Sequence, residues 1–190
     1  CLALHVKPEE LLPLYSVVGH MCLNSGVSYG ARDTVNGGKL VGVRLSKISL
    51  LENREMEKNF KYEGNPQEML RIGLTKEVYK DIDLFDDNEG VDRIFEFMVL
   101  TVDPDYKGKG IARKLVELSE QKAIEVGCQL GNVEASNTIT QHIYRTMGYK
   151  TYLAFDFTEY NKKKGKKVFD VAAAAPTTGW LAMSKRFDGK

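Results

Sequence analysis

The chain has 190 residues, of which 43% are hydrophobic and 28% are charged, with 27 Lys and Arg against 26 Asp and Glu. This length suits one domain with a sizeable core, and the near-neutral charge excludes a general electrostatic attraction to nucleic acid or to an anionic membrane. No apolar run approaches the roughly 20 residues of a membrane span, no secretory signal is visible, and three scattered cysteines (Cys1, Cys22 and Cys128) suit neither a disulfide framework nor a zinc site.

Hydrophobic periodicity and turn signals predict alternating helices and strands. In chain order these are a helix over 11–23, strands over 27–32 and 39–45, helices over 49–60 and 66–79, a strand over 93–102, a helix over 111–126, a strand over 129–135, a helix over 137–147, and strands over 149–157 and 180–185. An acidic loop is predicted over 81–92. The lysine run 162–167 and the alanine run 172–175 are predicted to lie in a loop between the last two strands.

The order of these elements predicts an α/β (α+β) fold with a mixed sheet. The strand–helix–strand unit over 93–135 implies parallel pairing with a right-handed crossover. The hairpin upstream adds antiparallel strands. We expect one domain over 1–190 in a reduced, cytoplasmic protein without a metal. Since the chain begins at Cys1 rather than at a methionine, we also expect an N-terminal strand or helix segment to precede it.

A glycine-rich turn links the strand 93–102 to the following helix. Gly108 and Gly110 remove side chains where the backbone approaches a partner closely, and the first helical N–H groups are unpaired at the positive end of the helix dipole. With Lys107, Lys109 and Arg113 nearby, the turn predicts a phosphate site. The alternative is a plain strand-to-helix turn. The spacing excludes both G-x-x-x-x-G-K-[ST] and G-x-G-x-x-G.

Two motifs carry a resemblance to a known family. The segment 107–112, KGKGIA, resembles the Q/R-x-x-G-x-G/A signature of the GNAT superfamily of acetyl-CoA-dependent N-acetyltransferases, with Lys107 in place of Gln or Arg. The segment 137–149, NTITQHIYRTMGY, resembles the family pattern N-x-x-A-x-x-x-Y-x-x-x-G-F, with Thr140 in place of alanine and Tyr149 in place of phenylalanine. Taken alone, Asn137 would be a helix cap and Tyr144 a core aromatic. Segments 41–45, 83–86, 91–96 and 99–106 are similar to the invertebrate arylalkylamine (dopamine-type) N-acetyltransferases.

The resemblance implies a GNAT fold, in which helices flank a mixed central sheet whose parallel strands splay to admit acetyl-CoA. In that family the turn amides hold the pyrophosphate and the preceding strand pairs with the pantetheine arm. The residues expected to bind acetyl-CoA are Leu100, Thr101, Val102, Lys107, Gly108, Lys109, Gly110, Ile111, Ala112, Arg113 and Asn137.

The resemblance also implies catalytic roles. Glu96, an acid inside an apolar strand, is the candidate base, with a solvated or Arg93-paired acid as the alternative. Tyr144 is the candidate acid for the leaving thiolate. Ser136 and Thr140, four residues apart and therefore expected on one helix face, resemble a proton-relaying hydroxyl pair; capping and back-bonding are the alternatives. The related group also uses a glutamate in an acidic-Pro-Leu segment that we expect just before Cys1.

The expected substrate is a small primary amine, and the resemblance favours an arylalkylamine such as dopamine, serotonin or tryptamine. The helix 11–23, together with Phe155 and Trp180, is a candidate wall for the ring, although the same residues suit a plain core. Three alternatives remain: a polyamine acetyltransferase that uses the acidic loop, a protein lysine or N-terminal acetyltransferase, and an inactive acyl-CoA-binding module. We expect a monomer or weak dimer that binds neither nucleic acid nor membrane.

Overall fold

The computed structural model of the chain describes residues 2–187, which contain six strands and seven α-helices. Their bounds are α1 (Pro8–Asn24), β1 (Tyr29–Asp33), β2 (Lys39–Leu50), α2 (Arg54–Lys58), α3 (Pro66–Val78), β3 (Arg93–Val102), α4 (Ile111–Glu125), β4 (Leu130–Ala135), α5 (Thr138–Thr146), β5 (Lys150–Asp156), α6 (Phe157–Lys164), α7 (Val171–Ala174) and β6 (Gly179–Arg186). No helix among these residues is long and apolar enough to cross a membrane. Cys1 lies outside the described residues.

The strands form one mixed sheet in the order β1-β2-β3-β4-β6-β5. β1 and β2 are antiparallel, as are β2 and β3, whereas β3 and β4 are parallel and are joined through α4. The predicted α/β fold with a mixed sheet is therefore confirmed.

Three local predictions were wrong. The helix expected over 49–60 begins later and is shorter, because Ser49 and Leu50 pair with β3 and extend β2; a 3-10 turn (Leu51–Asn53) leads into the α-helix Arg54–Lys58. The lysine run does not begin in a loop, since Lys162–Lys164 form the last turn of α6 and Gly165 ends it at φ 64°. Part of the alanine run is helical as well, because the Asp170 side chain accepts the Ala173 N–H and caps α7.

The described residues form two compact units, and α1, α2, β4 and β6 contribute residues to both. The turn unit, which contains the glycine turn, consists of 18–55, 91–133 and 184–187. Its helix α4 buries Leu115 and Val116. A Cβ on Gly42 of β2 would lie 3.1 Å from Ile111 and 3.3 Å from Leu115, so this glycine allows the start of α4 to pack closely on β2. Cys22 and Cys128 are buried free thiols, and burial raises the pKa of each.

The aromatic unit consists of 2–17, 56–90 and 134–183. Its core contains Phe157, Phe169 and Trp180. Phe155 stacks on Trp180 with ring centroids 3.8 Å apart. A Cβ on Gly179 would lie 1.8 Å from the Phe155 carbonyl oxygen, so only glycine allows β6 to begin this close to β5.

A buried capping box holds α3 against α1 within the aromatic unit. The Asn65 side chain accepts the N–H groups of Gln67 and Glu68 at the start of α3. Glu68 is only 1% exposed and accepts the Leu14 N–H of α1 at 2.8 Å, while the Asn65 amide donates to the Glu10 carbonyl at 2.7 Å. Because these bonds join the two helices directly, they set the position of α3 and of the chain that follows it.

Candidate active site

The glycine turn has the backbone geometry of an anion site. Gly108 and Gly110 both adopt φ 75°, and Gly110 is the N-cap of α4 without any side-chain cap. No atom lies within 4 Å of a Cβ built on either glycine, so the left-handed backbone conformation, rather than crowding, is what favours glycine here. The first N–H groups of α4 therefore have no side-chain oxygen from the N-cap to accept their hydrogen bonds.

Tyr106 braces this turn, a feature that sequence reasoning missed. Its hydroxyl donates to Asp33 on β1 at 2.6 Å, and this hydrogen bond is the main reason why the pKa of Asp33 falls to about 2. The Lys109 ammonium lies 4.5 Å from the centre of the Tyr106 ring, and Lys39, which is paired with Asp103 at 2.8 Å, lies 5.6 Å from it. The β1–β2 hairpin thus holds Lys109 at the turn. The sequence feature that could have indicated this role is the aromatic residue just before the glycines.

The other cations expected at the turn are exposed. Lys107 lies at the surface beside Gly108. Arg113, in the first turn of α4, pairs with Glu117 one helical turn later at 2.9 Å. Ile111 and Ala112 are half-buried. The structure therefore brings together the predicted phosphate-binding residues from Lys107 to Arg113.

The parallel ladder between β3 and β4 ends before either strand does. Their parallel ladder runs from Ile94–Leu130 to Phe97–Val133 and ends there. β3 continues to Val102 and stays paired with β2 along its other edge, with a register shift that leaves Met98 as a bulge. From Met98 onward, the edge of β3 on the β4 side has no ladder partner among residues 2–187. Leu100, Thr101 and Val102, the predicted pantetheine-binding residues, lie in this free segment.

Glu96 is half-buried in the paired part of β3. Its carboxylate accepts a hydrogen bond at 2.8 Å from the side-chain amide of Asn132, its partner in the β4 ladder, and Lys47 is its partner on β2. The Asn132 contact orients the carboxylate. This environment differs from the freely solvated strand face that was the alternative for Glu96.

The N-terminus of α5 differs from the prediction. Asn137 caps the helix by accepting the Thr140 N–H at 2.9 Å, and the Thr140 hydroxyl donates back to the Asn137 carbonyl at 2.9 Å. Ser136 is exposed and precedes the cap. The expectation that Ser136 and Thr140 share one helix face was therefore wrong, because α5 begins only at Thr138. Tyr144 is 1% exposed, and its ring packs edge-on against Tyr149 at 4.9 Å.

A second acid, Glu134, was missed by the sequence analysis. It lies on β4 in the aromatic unit, and Arg71 of α3 lies 3.7 Å from its carboxylate. Burial, and after it the charge of Glu134, raises the pKa of Tyr79. Trp180 and Tyr152 also lie close to the Tyr79 hydroxyl. The sequence feature that could have indicated Glu134 is an acid within a short apolar strand. The same feature led to the choice of Glu96 as the candidate base.

The aromatic unit also contains a cavity of about 240 Å³. It is lined by Thr138, Gln141 and Arg145 of α5, by Asp156, and by the stacked rings of Phe155 and Trp180. The two aromatic residues predicted to wall a ring slot therefore line a cavity and also belong to, or pack on, the core. Among residues 2–187, no group of three or more His, Cys, Asp or Glu side chains could hold a metal ion.

Comparisons with known proteins agree with this geometry. The Acetyltransferase (GNAT) family matches residues 79–149, a range that includes β3, the glycine turn, α4, β4 and α5. The structure is similar to arylalkylamine N-acetyltransferase 2 from Aedes aegypti, with a TM-score of 0.75 and 29% sequence identity, covering 92% of this chain and 79% of that one.

Two further solved structures share the fold at lower identity. One is a polyamine N-acetyltransferase from Drosophila melanogaster that forms N-acetylagmatine (TM-score 0.72, 18% identity, 96% of this chain and 83% of that one). The other is a mosquito arylalkylamine N-acetyltransferase-like protein, 5b (TM-score 0.65, 15% identity, 98% of this chain and 85% of that one). The resemblance to the GNAT superfamily and to its insect arylalkylamine members is confirmed, as is the GNAT fold.

Proposed function

The chain has the fold of the GNAT acetyltransferases and resembles their insect arylalkylamine members, and from this premise we propose that it transfers the acetyl group of acetyl-CoA to a small primary amine. The proposed amine is an arylalkylamine such as dopamine, serotonin or tryptamine. The observation that carries the proposal is the free edge of β3 leading into a turn with two left-handed glycines and an uncapped helix N-terminus.

The residues present fit acetyl-CoA. The N–H groups from Lys107 to Arg113 suit the pyrophosphate, and the lysines of the turn add positive charge. The free backbone of Leu100, Thr101 and Val102 suits the amides of the pantetheine arm as an added strand would. Asn137 completes the predicted set, although its side chain already caps α5. When bound, acetyl-CoA supplies an acetyl group already activated as a thioester.

The chain's own task is to supply a neutral amine. An alkyl amine with a pKa of about 10.4 is mostly protonated at pH 7, and reaching the neutral form costs about 4.6 kcal/mol. We propose Glu96 as the base, since its carboxylate is half-buried and oriented by Asn132.

Protonation of the leaving sulfur is the second task, and we propose Tyr144 as its acid. Burial and the contact with Tyr149 hold the ring in one orientation. Ser136 and Thr140 stay as the candidate proton-relaying pair. Within that pair Thr140 can act only as an acceptor while its hydroxyl proton is donated to the Asn137 carbonyl.

The test is release of the CoA thiol with a panel of amines. We expect turnover with tryptamine and dopamine and lower kcat/KM with spermidine and a lysine-containing peptide, because ring burial contributes about 25 cal/mol per Å² of apolar area. A preference for spermidine or the peptide would show that the substrate is a polyamine or a protein amine rather than an arylalkylamine. Acetyl-CoA binding in calorimetry without thiol release for any amine would identify an inactive acyl-CoA-binding module.

A further inference from the structure

The Glu134 carboxylate is fixed in place by its position on β4 and is still accessible to a ligand. The ladder between β3 and β4 ends at Val133, and Glu134 is the next residue of β4. Val133 and Ala135 on either side of it are buried, whereas 33% of the Glu134 side chain is exposed. A carboxylate in an apolar strand needs a polar or charged partner to offset its desolvation.

Arg71 offsets the desolvation of the Glu134 carboxylate only in part. The Arg71 guanidinium lies 3.7 Å from the carboxylate, which is too long for a hydrogen bond, and both side chains are about one-third exposed. An ion pair of this kind contributes little. The carboxylate therefore keeps the capacity to accept hydrogen bonds from a ligand.

Aromatic groups stand beside the same carboxylate. The Tyr79 hydroxyl is buried close to Glu134 and to Trp180. Tyr152 also lies near Tyr79. A carboxylate beside aromatic rings suits an organic cation, because the carboxylate accepts its N–H groups and ring faces attract positive charge.

We infer that Glu134 binds the ammonium group of the amine substrate, beside Tyr79 and Trp180, and thereby selects amines over neutral molecules of the same shape. The inference rests on the proposed function for the identity of the ligand, since it places a primary amine at this end of β4. Glu134 would contact the substrate before the proton is removed, which is a role separate from that of the proposed base.

The chain offers a direct binding assay. Trp180 is its single tryptophan and lies beside Tyr79, so fluorescence excited at a wavelength selective for tryptophan reports on this cluster. The probes are 2-phenylethylamine and 2-phenylethanol, which share a ring and chain and differ in the charged group. We expect the wild-type protein to bind the amine at least about tenfold more tightly, the low end for a hydrogen bond to a charged group.

Glu134→Gln should abolish this preference and leave binding of the alcohol and the affinity for acetyl-CoA unchanged. Glu125→Gln is the matched control, because Glu125 is an exposed acid on α4 that pairs with Lys122 one helical turn earlier. This control should keep the full preference. A wild-type protein that does not distinguish the two probes, or a folded Glu134→Gln protein that still does, overturns the inference.

Arg71→Ala provides a second variant with the opposite expected sign. Removing the competing guanidinium should leave the preference for the amine equal or larger. If Arg71→Ala instead reduces the preference, the two residues act as a structural pair and the inference is wrong; this variant decides the matter even if Glu134→Gln does not fold. Because the assay requires no acetyl transfer, its result is separate from thiol release, which alone tests the proposed function.

Discussion

Replacing Gly110 by aspartate tests the proposed phosphate site most directly, provided that Gly110→Ala is measured beside it. Gly110 is the N-cap of α4 at φ 75° and ψ 1°. An added Cβ would meet no atom within 4 Å, so neither substitution causes a clash. Both variants incur the cost of holding an L-residue in the left-handed region, about 1–2 kcal/mol, and aspartate tolerates that region better than alanine.

The two variants differ in charge at the turn. A carboxylate about 5 Å from a phosphate charge, at an effective dielectric constant of about 20, is repelled by about 3 kcal/mol. This corresponds to an increase in Kd of about a hundredfold. The alanine variant carries no such repulsion, so we expect it to lose at most a few-fold in affinity through the altered backbone.

Calorimetric titration with CoA measures both values, and thermal unfolding measures the shared cost in stability. The difference between the variants should shrink as salt is added, because screening weakens the repulsion. If Gly110→Asp binds CoA as tightly as Gly110→Ala in low salt while both proteins are folded, the phosphate group does not lie at this turn.

Three further predictions concern catalysis and packing. Tyr144→Phe should lower kcat by about 10²-fold or more while acetyl-CoA affinity stays nearly constant, since the ring still packs; a change within about twofold would identify Tyr144 as purely structural. Glu96→Gln keeps an acceptor for the Asn132 amide, so the fold should persist while activity falls near neutral pH and recovers at high pH, where free amine is abundant; a uniform loss across the pH–rate profile contradicts a role as base. Gly179→Ala places a Cβ 1.8 Å from a carbonyl oxygen of β5 and should reduce the free energy of unfolding by about 3 kcal/mol in denaturant titrations. Gly73→Ala in α3, where no atom lies within 4 Å, should instead be neutral or stabilising, and an equal loss in both variants would refute the packing argument.

Features set by neighbouring residues were predictable from the sequence. The strand Arg93–Val102 was predicted with its observed bounds, because ten residues of high strand propensity end at an Asp-Pro turn signal. The glycine turn was equally predictable, since positive φ and a helix start within three residues have a narrow compositional signature. The same holds for Asn137, whose capping geometry depends only on the next three residues.

Other features depended on pairing with distant segments. The sequence 49–60 has an ambiguous pattern, and β2 extends through Leu50 only because Arg93 and Ile94 lie opposite it in the sheet. The predicted shared face of Ser136 and Thr140 failed for a local reason, because the side chain of Asn137 places the helix boundary between them.

By itself, the sequence determined most of the order of the elements, the glycine turn and the resemblance to the GNAT superfamily, because each of these depends on residues close together in the chain. Only the tertiary structure decided which side chains meet. Tyr106 reaches Asp33, 73 positions away, and Glu134 lies beside Arg71 and Tyr79 of another segment. Such contacts follow from how strands and helices pack, and no spacing along the chain encodes them.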